Sequence, residues 1–514
     1  MSTNENKFRN CLGIEFGSTR IKAVVTDNRF EPVSSGDYTW KSSYTGKIWT
    51  YDLDEVWKGL NEALKKADTS NVDAAGISGM MHGYLAFDSD WNLLVPFRTW
   101  QNTITGKAAE ELTELFDFNI PQRWSIAHLY QAVLNGEEHI SKLAHITTLA
   151  GYVHYMLTGV NAVGIGEASG IFPVDSETSD YDSRMLDKFD KLMADMNCPV
   201  KIREVLPKVL TAGETAGKLT EAGAALIGNA LEAGIPFAPP EGDAGTGMTA
   251  TNAVAPGTGN VSAGTSVFSM IVLDKPLSRV YPEIDMVTTP TGKPVAMVHC
   301  NNCTNDMNAW VNIFKEAVSL YTGKEVSDDI FTKLYEKSLE GDADCGGVIV
   351  NNYLAGESIT HFDEGCPMVL RNAESSFNLA NLTRSMLYST IATLKIGMDI
   401  LADENVKIRS LTGHGGLFKT PVVGQKYLAA ACGAPVTVMK TAGEGGPYGM
   451  ALLAAYMLCR KDSGTLEEFL NEKVFVNTEI SVLSPEKTDT EGFENYMEKY
   501  KKSLDVERTA VISM

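Results

Sequence analysis

The chain has 514 residues, with 44 Lys and Arg against 65 Asp and Glu, which gives a formal net charge of −21. Hydrophobic residues make up 44% of the chain and charged residues 21%, a globular composition that excludes an intrinsically disordered protein. At roughly 150 residues per domain, the length predicts two to four domains. The negative charge disfavours a general nucleic-acid partner, because it repels phosphate backbones.

No targeting or membrane signal is expected. Residues 1–10 are polar, unlike a signal peptide, and the apolar stretch 450–459 is too short to span a bilayer. The eight cysteines are scattered through the chain, which predicts a reduced, cytoplasmic protein without a disulfide framework. Cys300 and Cys303 have CxxC spacing, but no second pair stands at zinc-site spacing, so a redox or metal role is the less favoured interpretation.

The first predicted element is a β-hairpin. Residues 11–16 and 21–25 have strand character, and the turn Gly17, Ser18, Thr19 joins them. Helical spacing then predicts a helix over 53–66. Strands are predicted at 74–87 (a pair broken by Gly79 and Gly83), 267–273 and 408–411, and further helices at 108–116, 141–157, 308–321, 379–401, 422–432 and 448–458.

The hairpin is repeated later in the chain. Residues 14–27 align with residues 261–274, and 264 − 17 and 274 − 27 both give an offset of 247. In each copy a glycine is followed by two small hydroxyl residues. Two related halves are therefore predicted, with a chance match between two ordinary hairpins as the alternative.

Such turns have a chemical use. Glycine lets the backbone approach a ligand closely, and the N–H and hydroxyl donors suit phosphate oxygens. Two turns, one in each half, would grip the phosphates of a nucleotide from both sides of a cleft. The glycine segments 413–416 and 443–446 each precede a predicted helix, and they fit an adenosine slot and tight helix–strand packing equally well.

Asp243 is the candidate for the chemistry. It lies in a glycine-rich loop before a predicted helix start at Thr246, where a carboxylate is stabilised as an anion and could take the proton of a hydroxyl that attacks phosphorus. The alternative is an ordinary N-cap. Glu15, just before the first glycine turn, is a candidate Mg²⁺ ligand, with a solvated or hairpin-paired acid as the alternative. No Walker A motif is present.

These segments together resemble the FGGY carbohydrate kinases, nearest to the xylulokinase and ribulokinase branch. The resemblance rests on residues 12–19, 76–83, 242–245 and 261–266, and on the glycines of 415–416 and 443–446. It implies an α/β fold of two actin-like, ribonuclease-H-like ATPase domains with a central cleft. The expected N-terminal domain is 1–247 and the C-terminal domain 248–485, followed by a peripheral tail at 486–514.

The resemblance also implies roles for individual residues. Asp243 would be the general base, and Glu15 the metal ligand. The implied ATP contacts are Gly17, Ser18, Thr19, Gly264, Thr265, Gly415, Gly416 and Gly446. The implied substrate contacts are Met81, His82, Gln101, Asn102 and Asp243.

Departures from the family pattern concern mainly the substrate. Glu15 stands where the family usually has Asp, and Gln101-Asn102 stands where this branch has Asp at the second position. Segment 125–131 lacks the Lys and Trp of a family signature, and Ser-Ile-Thr at 358–360 replaces Arg-Thr-Pro. These changes leave the reaction expected and the sugar open.

The expected function is ATP-dependent phosphorylation of an open-chain sugar, with a ketopentose such as ribulose or xylulose favoured. ATP and Mg²⁺ are the expected cofactors and a small sugar the expected partner, with no nucleic acid and no membrane, and with a homodimer left open. One alternative is an actin- or chaperone-type nucleotide switch without sugar turnover. A weaker one is an NAD-dependent oxidoreductase built on the glycines of 245–250.

Overall fold

The computed structural model describes residues 8–514, except for the side chains of residues 441 and 442; part of the stretch expected to carry no signal peptide lies outside this range. Each half of the chain contains a seven-stranded mixed sheet. In spatial order the N-terminal sheet contains Gly217–Lys218, Pro236–Phe237, Val72–Gly79, Asn10–Phe16, Arg20–Asp27 and Pro32–Thr39, with Glu241–Gly242 also paired to Val72–Gly79.

The C-terminal sheet repeats this arrangement. Its strands are, in spatial order, Asp285–Thr288, Pro294–Cys300, Val267–Val272, Thr258–Ala263, Ser410–His414, Val436–Met439 and Ile480–Leu483. In both sheets the strand before the glycine turn pairs antiparallel with the strand after it and parallel with a later strand. The two hairpins thus occupy equivalent places in two similar sheets, as the sequence repeat predicts.

The first strand, Asn10–Phe16, is buried on both faces. Leu12, Ile14 and Phe16 share a core with the helix Leu53–Lys66, whose apolar residues recur at helical spacing. The opposite face is covered by the helix Gly446–Cys459. That helix is apolar on all sides and almost wholly buried, which is typical of a central helix between packed layers.

The helix Gly446–Cys459 comes from the second half of the chain but packs on the first sheet. It contacts the strands Asn10–Phe16 and Val72–Gly79 and the helix Asp243–Ala250. The two halves are therefore joined by more than one crossing of the chain. The boundary at residue 247 stays a prediction, and it falls inside the helix Asp243–Ala250.

The C-terminal segment is not peripheral, contrary to expectation. It forms the helix Lys487–Ser513, and Phe493, Tyr496 and Tyr500 on one face are buried in the C-terminal core. Most of the charged residues that suggested a peripheral tail lie on the other faces, although Asp489 and Glu507 are buried. A helix can be polar overall and still bury one face.

Two local predictions need correction. Residues 141–157 are not one helix, because His145–Thr147 forms a strand before the helix Leu149–Thr158. That strand pairs with Leu85–Phe87, which therefore does not pair with Val72–Gly79 as expected. The other helices of six or more residues are Gly106–Phe116, Ser125–Leu134, Ser183–Asp195, Glu221–Leu226, Asn305–Thr322, Ile330–Ser338, Leu379–Asp403 and Val423–Cys432.

The remaining strands form small two-stranded sheets. They are the pairs Ser43–Thr45 with Ile48–Thr50, Ala162–Gly164 with Lys208–Leu210, Val174–Asp175 with Asp180–Tyr181, and Ile349–Asn351 with Met368–Leu370. Short helices lie at Ile165–Ala168, Ile202–Val205 and Leu466–Phe469. Over residues 8–514, no helix combines the length and apolar character needed to cross a bilayer.

Candidate active site

The first glycine turn is fixed through its carbonyl groups. Gly17 O accepts a hydrogen bond from the Trp40 indole (2.7 Å), and Ser18 O accepts one from the Tyr51 hydroxyl (2.7 Å). Thr19 O accepts one from the Trp40 backbone N–H (3.1 Å). Because the C=O and N–H of a trans peptide point in opposite directions, the N–H groups of Ser18 and Thr19 face away from these aromatic donors.

The second glycine turn is fixed in the same way by other donors. Gly264 O accepts hydrogen bonds from the Thr304 backbone N–H (3.1 Å) and hydroxyl (2.7 Å), and Thr265 O accepts one from the Cys303 N–H (3.1 Å). The N–H groups of Thr265 and Ser266 consequently face away from the 303–304 segment. Both turns therefore present backbone donors on the side opposite to their support.

The CxxC pair, Cys300 and Cys303, lies next to the second turn, since Cys303 N–H donates to Thr265 O. Cys300 and Cys303 are buried and not disulfide-bonded, and burial raises the pKa of the Cys303 thiol to about 12 and that of the Cys300 thiol well above its usual value. A buried, protonated thiol is a poor nucleophile and a poor metal ligand. Over residues 8–514, no group of three or more His, Cys, Asp or Glu side chains is arranged to hold a metal.

Two of the late glycines approach the two turns. Gly415 has φ +97°, and a Cβ at this position would lie 2.5 Å from Ala263 O, directly before the second turn. A Cβ on Gly446 would collide with Oε1 of Glu15, which lies two residues before Gly17 of the first turn. The positive φ and the approach to backbone require glycine at 415, and Gly446 lies against the Glu15 side chain, so the segments beginning at 415 and 445 lie beside the two glycine turns.

Asp243 is the first residue of the helix Asp243–Ala250, with Gly242 as its N-cap. The interpretation of Asp243 as an N-cap is therefore wrong. Its Oδ1 accepts hydrogen bonds from the N–H groups of Met81 (3.2 Å) and Ala244 (3.0 Å). The side chain is open to solvent, so its second oxygen can meet a bound molecule. The surrounding protein still removes enough hydration to raise the pKa of Asp243, and the two hydrogen bonds oppose that rise.

Glu15 lies close to Asp243. Burial and, secondarily, the charge of Asp243 raise the pKa of Glu15 to about 7, while Lys22 acts in the opposite direction. Its carboxylate also contacts Gly446, next to Thr246 on the Asp243 helix. Two acidic groups thus lie beside the first turn, where a cation would relieve their repulsion.

The predicted sugar segment contacts Asp243 directly. Met81 donates its backbone N–H to Asp243, and its side chain packs against Gly242. The next residue, His82, has φ +71° and stacks on Trp124 at 6.0 Å. Its Nδ1 lies 3.2 Å from Gly170 O, which can only accept, so Nδ1 carries the proton. Burial and the charge of Arg123 hold the pKa of His82 well below its usual value, which leaves Nε2 as an acceptor.

Gln101 and Asn102 differ in their hydrogen bonding. Asn102 is buried, its Oδ1 accepts from the Trp49 N–H (2.9 Å), and its Nδ2 donates to Trp49 O (2.8 Å) and Thr99 O (3.0 Å). Because these bonds hold the Ile48–Thr50 strand, Asn102 fits the predicted sugar role poorly. Gln101 Oε1 is buried and accepts no hydrogen bond from the described residues, which leaves an acceptor for a ligand.

Sequence reasoning missed the contact between the two halves near His82. Arg123 forms an ion pair with Asp285 of the C-terminal sheet, and Asn119 Nδ2 donates to the same carboxylate at 3.1 Å. His299 of the C-terminal sheet lies close enough for the Arg123 charge to lower its pKa, with burial as the larger cause, to about 4. No local pattern marks these residues, since they meet only through the packing of the two sheets.

Two similar sheets, each with a glycine turn whose carbonyls are anchored, and an acidic pair beside the first turn are the arrangement expected of a phosphotransferase with the actin-like ATPase fold. Family models agree: residues 10–249 match the FGGY family of carbohydrate kinases, N-terminal domain, and residues 259–458 match its C-terminal domain. The chain belongs to the FGGY family of carbohydrate kinases and is a carbohydrate kinase, with ATP as the phosphate donor.

Individual relatives are distant. The chain is 23% identical over 511 residues to a xylulose kinase of Haemophilus influenzae. The alignment covers 95% of this chain and 98% of the relative. Among solved structures, a ligand-bound xylulose kinase from Lactobacillus acidophilus has a TM-score of 0.80 at 17% identity, covering 97% of this chain and 98% of that one. A gluconate kinase from the same organism has the same TM-score, identity and coverage.

The family assignment decides among the alternatives. A nucleotide switch without sugar turnover is not supported, since both family models are of carbohydrate kinases. The NAD interpretation fails on geometry, because Gly245 and Gly247 lie inside the helix Asp243–Ala250, whereas a dinucleotide fingerprint needs its glycines in the turn before the helix.

Proposed function

We propose that this kinase phosphorylates a ketopentose, xylulose or ribulose, with Asp243 as the base. One observation above all supports the proposal: the carboxylate of Asp243 is held by the backbone of Met81, from the predicted sugar segment, and is open to solvent. A sugar lying along that segment would therefore meet the base directly.

The proposed chemistry is a proton transfer coupled to attack on the γ-phosphate. Asp243 accepts the proton of the attacking hydroxyl on the oxygen that the backbone leaves available. The hydroxyl oxygen bonds to phosphorus as the bond to the β-phosphate oxygen breaks, which leaves ADP. The first turn (Gly17, Ser18, Thr19) and the second turn (Gly264, Thr265) hold the phosphates through the N–H groups that face away from their supports. The N–H groups of Gly17 and Gly264 are not among them, because they donate to Arg20 O and Ser266 O. The segments at Gly415, Gly416 and Gly446 line the adenosine slot.

We further propose that His82, Gln101 and Met81 hold the sugar. His82 is neutral and offers Nε2 as an acceptor for a sugar hydroxyl, while Gln101 Oε1 offers a second acceptor. Met81 supplies an apolar wall beside Gly242. Two acceptors and one apolar surface suit a polyhydroxylated chain, whose hydroxyl groups are donors.

Glu15 and Asp243 fit a magnesium ion that is held mainly by the nucleotide. Mg²⁺ in kinases usually takes one or two carboxylates and completes its shell with phosphate oxygens and water, so a larger cluster of protein ligands is not required. The raised pKa of Glu15 beside Asp243 is what a cation would offset. When bound, the ion would neutralise the β- and γ-phosphates.

The choice of a ketopentose rests on relatives. Both the Haemophilus influenzae relative and one Lactobacillus acidophilus structure are named as xylulose kinases. A gluconate kinase of equal structural similarity shows that the fold alone does not choose the sugar. The substitutions at 101–102 and 358–360 keep ribulose and other ketoses in the panel to be tested.

The test is sugar-dependent ADP release by the purified chain across xylulose, ribulose, other ketoses, gluconate and polyols. We expect the highest kcat/KM for a ketopentose and little ADP release without sugar. A folded protein that binds ATP but prefers gluconate or a polyol would overturn the ketopentose assignment. A homodimer remains a separate proposal, to be tested by light scattering during gel filtration.

A further inference from the structure

The second turn is held by residues 303 and 304, which lie in an irregular segment of the chain. Cys303 and Thr304 hold the carbonyls of Thr265 and Gly264, but they belong to a connection between the strand Pro294–Cys300 and the helix Asn305–Thr322. A connection of this kind holds a turn accurately only if its own backbone is fixed. The residues before it, at 301–302, show how it is fixed.

A single buried carboxylate holds this connection. Glu357 Oε2 accepts hydrogen bonds from the backbone N–H groups of Asn301 (2.9 Å) and Asn302 (3.2 Å) and from Asn302 Nδ2 (3.1 Å). Glu357 is 0% exposed. Its own backbone pairs in both directions with Phe362, so the carboxylate is held on a rigid base.

Two asparagines extend the contact between the same loops. Asn302 Oδ1 accepts from the N–H groups of Leu354 (2.9 Å) and Ala355 (3.0 Å). Asn352 Nδ2 donates to Cys303 O at 2.8 Å. Residues 301–303 are therefore bound to the 352–357 loop, and Glu357 is the only acid in that set of described contacts.

The three hydrogen bonds to Glu357 Oε2 are strongest when the carboxylate is ionised, because a charged acceptor makes stronger hydrogen bonds than a neutral one. Burial raises the pKa of Glu357 to about 6, and the hydrogen bonds from Asn302 and Asn301 limit the rise. The titratable neighbours are Cys300 and Tyr353, whose pKa values are raised both by burial and by the Glu357 charge, so both stay neutral near pH 7. The carboxylate is thus ionised and bonded at neutral pH.

We propose that Glu357 is a positioning residue for the nucleotide: it fixes the 301–304 segment, and through Thr304 and Cys303 it orients the second turn toward the phosphates. The proposal rests on the assignment of the second turn to ATP and does not depend on which sugar is used. It predicts a loss of nucleotide affinity from a residue that touches no substrate.

The experiment measures ATP and ADP binding without sugar, by titration calorimetry, and the KM values for ATP and sugar. In Glu357→Gln we expect the Kd for ATP to rise about tenfold, because hydrogen bonds to a charged group are among the strongest in proteins. The KM for sugar should stay within about twofold. Glu364→Gln removes the same charge from an exposed position seven residues further along the chain and should bind ATP like the wild type.

A second variant covers a failure of Glu357→Gln to fold. Thr304→Val removes the hydroxyl that donates to Gly264 O while keeping the shape of the side chain. Thr304→Val should also raise the Kd for ATP. In the double variant, Glu357→Gln with Thr304→Val, the Kd should rise by less than the product of the two single increases, since both changes act on one turn. Wild-type ATP affinity in both single variants, or equal rises in the KM for ATP and sugar, would overturn the proposal. Because binding is measured without sugar, a wrong ketopentose assignment would leave this result interpretable.

Discussion

Both glycine turns have anchored carbonyls, but the groups that anchor them differ. The first is held by Trp40 and Tyr51, whose donors are an indole, a phenol and one backbone N–H from the edge of its own sheet. The second is held by Thr304 and Cys303, whose position depends on a buried carboxylate at Glu357. The carbonyls of a repeated turn can thus be anchored by unrelated donors in the two halves of one chain.

The largest expected effect comes from the proposed base, Asp243. Asp243→Asn should lower kcat by about a thousandfold, because a positioned general base contributes on the order of 10²–10⁴ to the rate. The Kd for ATP should change little, since Asp243 supports neither turn. The measurement is steady-state kinetics beside calorimetric ATP binding. Near-full activity would remove Asp243 from the mechanism.

Losing one donor behind the first turn should have a moderate effect that does not depend on pH. Tyr51→Phe removes the hydrogen bond to Ser18 O. The Kd for ATP should rise by about fivefold, which corresponds to the usual net contribution of one hydrogen bond. The ratio of the Kd for ATP of Tyr51→Phe to that of the wild type should be equal at pH 5.5 and 7.5. Burial raises the pKa of Tyr51, so the hydroxyl stays protonated at both pH values.

The second turn should respond to pH through Glu357. Its pKa of about 6 lies above the usual 4.5, so the carboxylate takes up a proton as the pH falls through 6 and becomes a weaker acceptor for Asn301 and Asn302. Wild-type ATP affinity should therefore fall by about threefold between pH 7.5 and 5.5, a loss of roughly one hydrogen bond. Glu357→Gln should show a smaller fall over the same range. Identical pH profiles would separate Glu357 from the second turn.

A smaller effect concerns stability beside the first turn. The folded-state pKa of Glu15, about 7 against 4.5, means that the folded protein binds this proton more tightly than the unfolded chain. Its contribution to stability is present at low pH and is lost as the pH rises to 7. Asp243→Asn removes one cause of the shift and should raise the melting temperature at pH 8 by about 1 to 3 °C, with a smaller gain at pH 5. Scanning fluorimetry at both pH values is the measurement.

The smallest expected effect is at the CxxC pair. Cys303→Ala keeps the backbone N–H that donates to Thr265 O and removes only a buried thiol, so ATP affinity should change by about twofold or less. Activity of the wild type should also be insensitive to mild thiol oxidants. A strong response to either change would restore a redox role for the pair.

The sequence alone was sufficient for the parts of the site that depend on local chemistry. Glycine followed by two hydroxyl residues specified both hairpin turns, and the constant offset of 247 specified two similar sheets. Asp243 could be chosen because a carboxylate in a glycine-rich loop before a helix is a recognisable pattern. Such features are readable because turn residues and strand alternation are set by neighbours in the chain.

Only the tertiary structure decided what supports those turns and which residues meet across the two halves. Trp40 and Glu357 carry no pattern that assigns them to a glycine turn, and Asn102 looked like a sugar ligand until its bonds to Trp49 were seen. The helix Gly446–Cys459 is apolar on every side, so its sequence predicted burial but not that it would cross to the first sheet. The physical reason is that periodicity records which face of an element is buried, whereas the partner of that face is set by long-range packing.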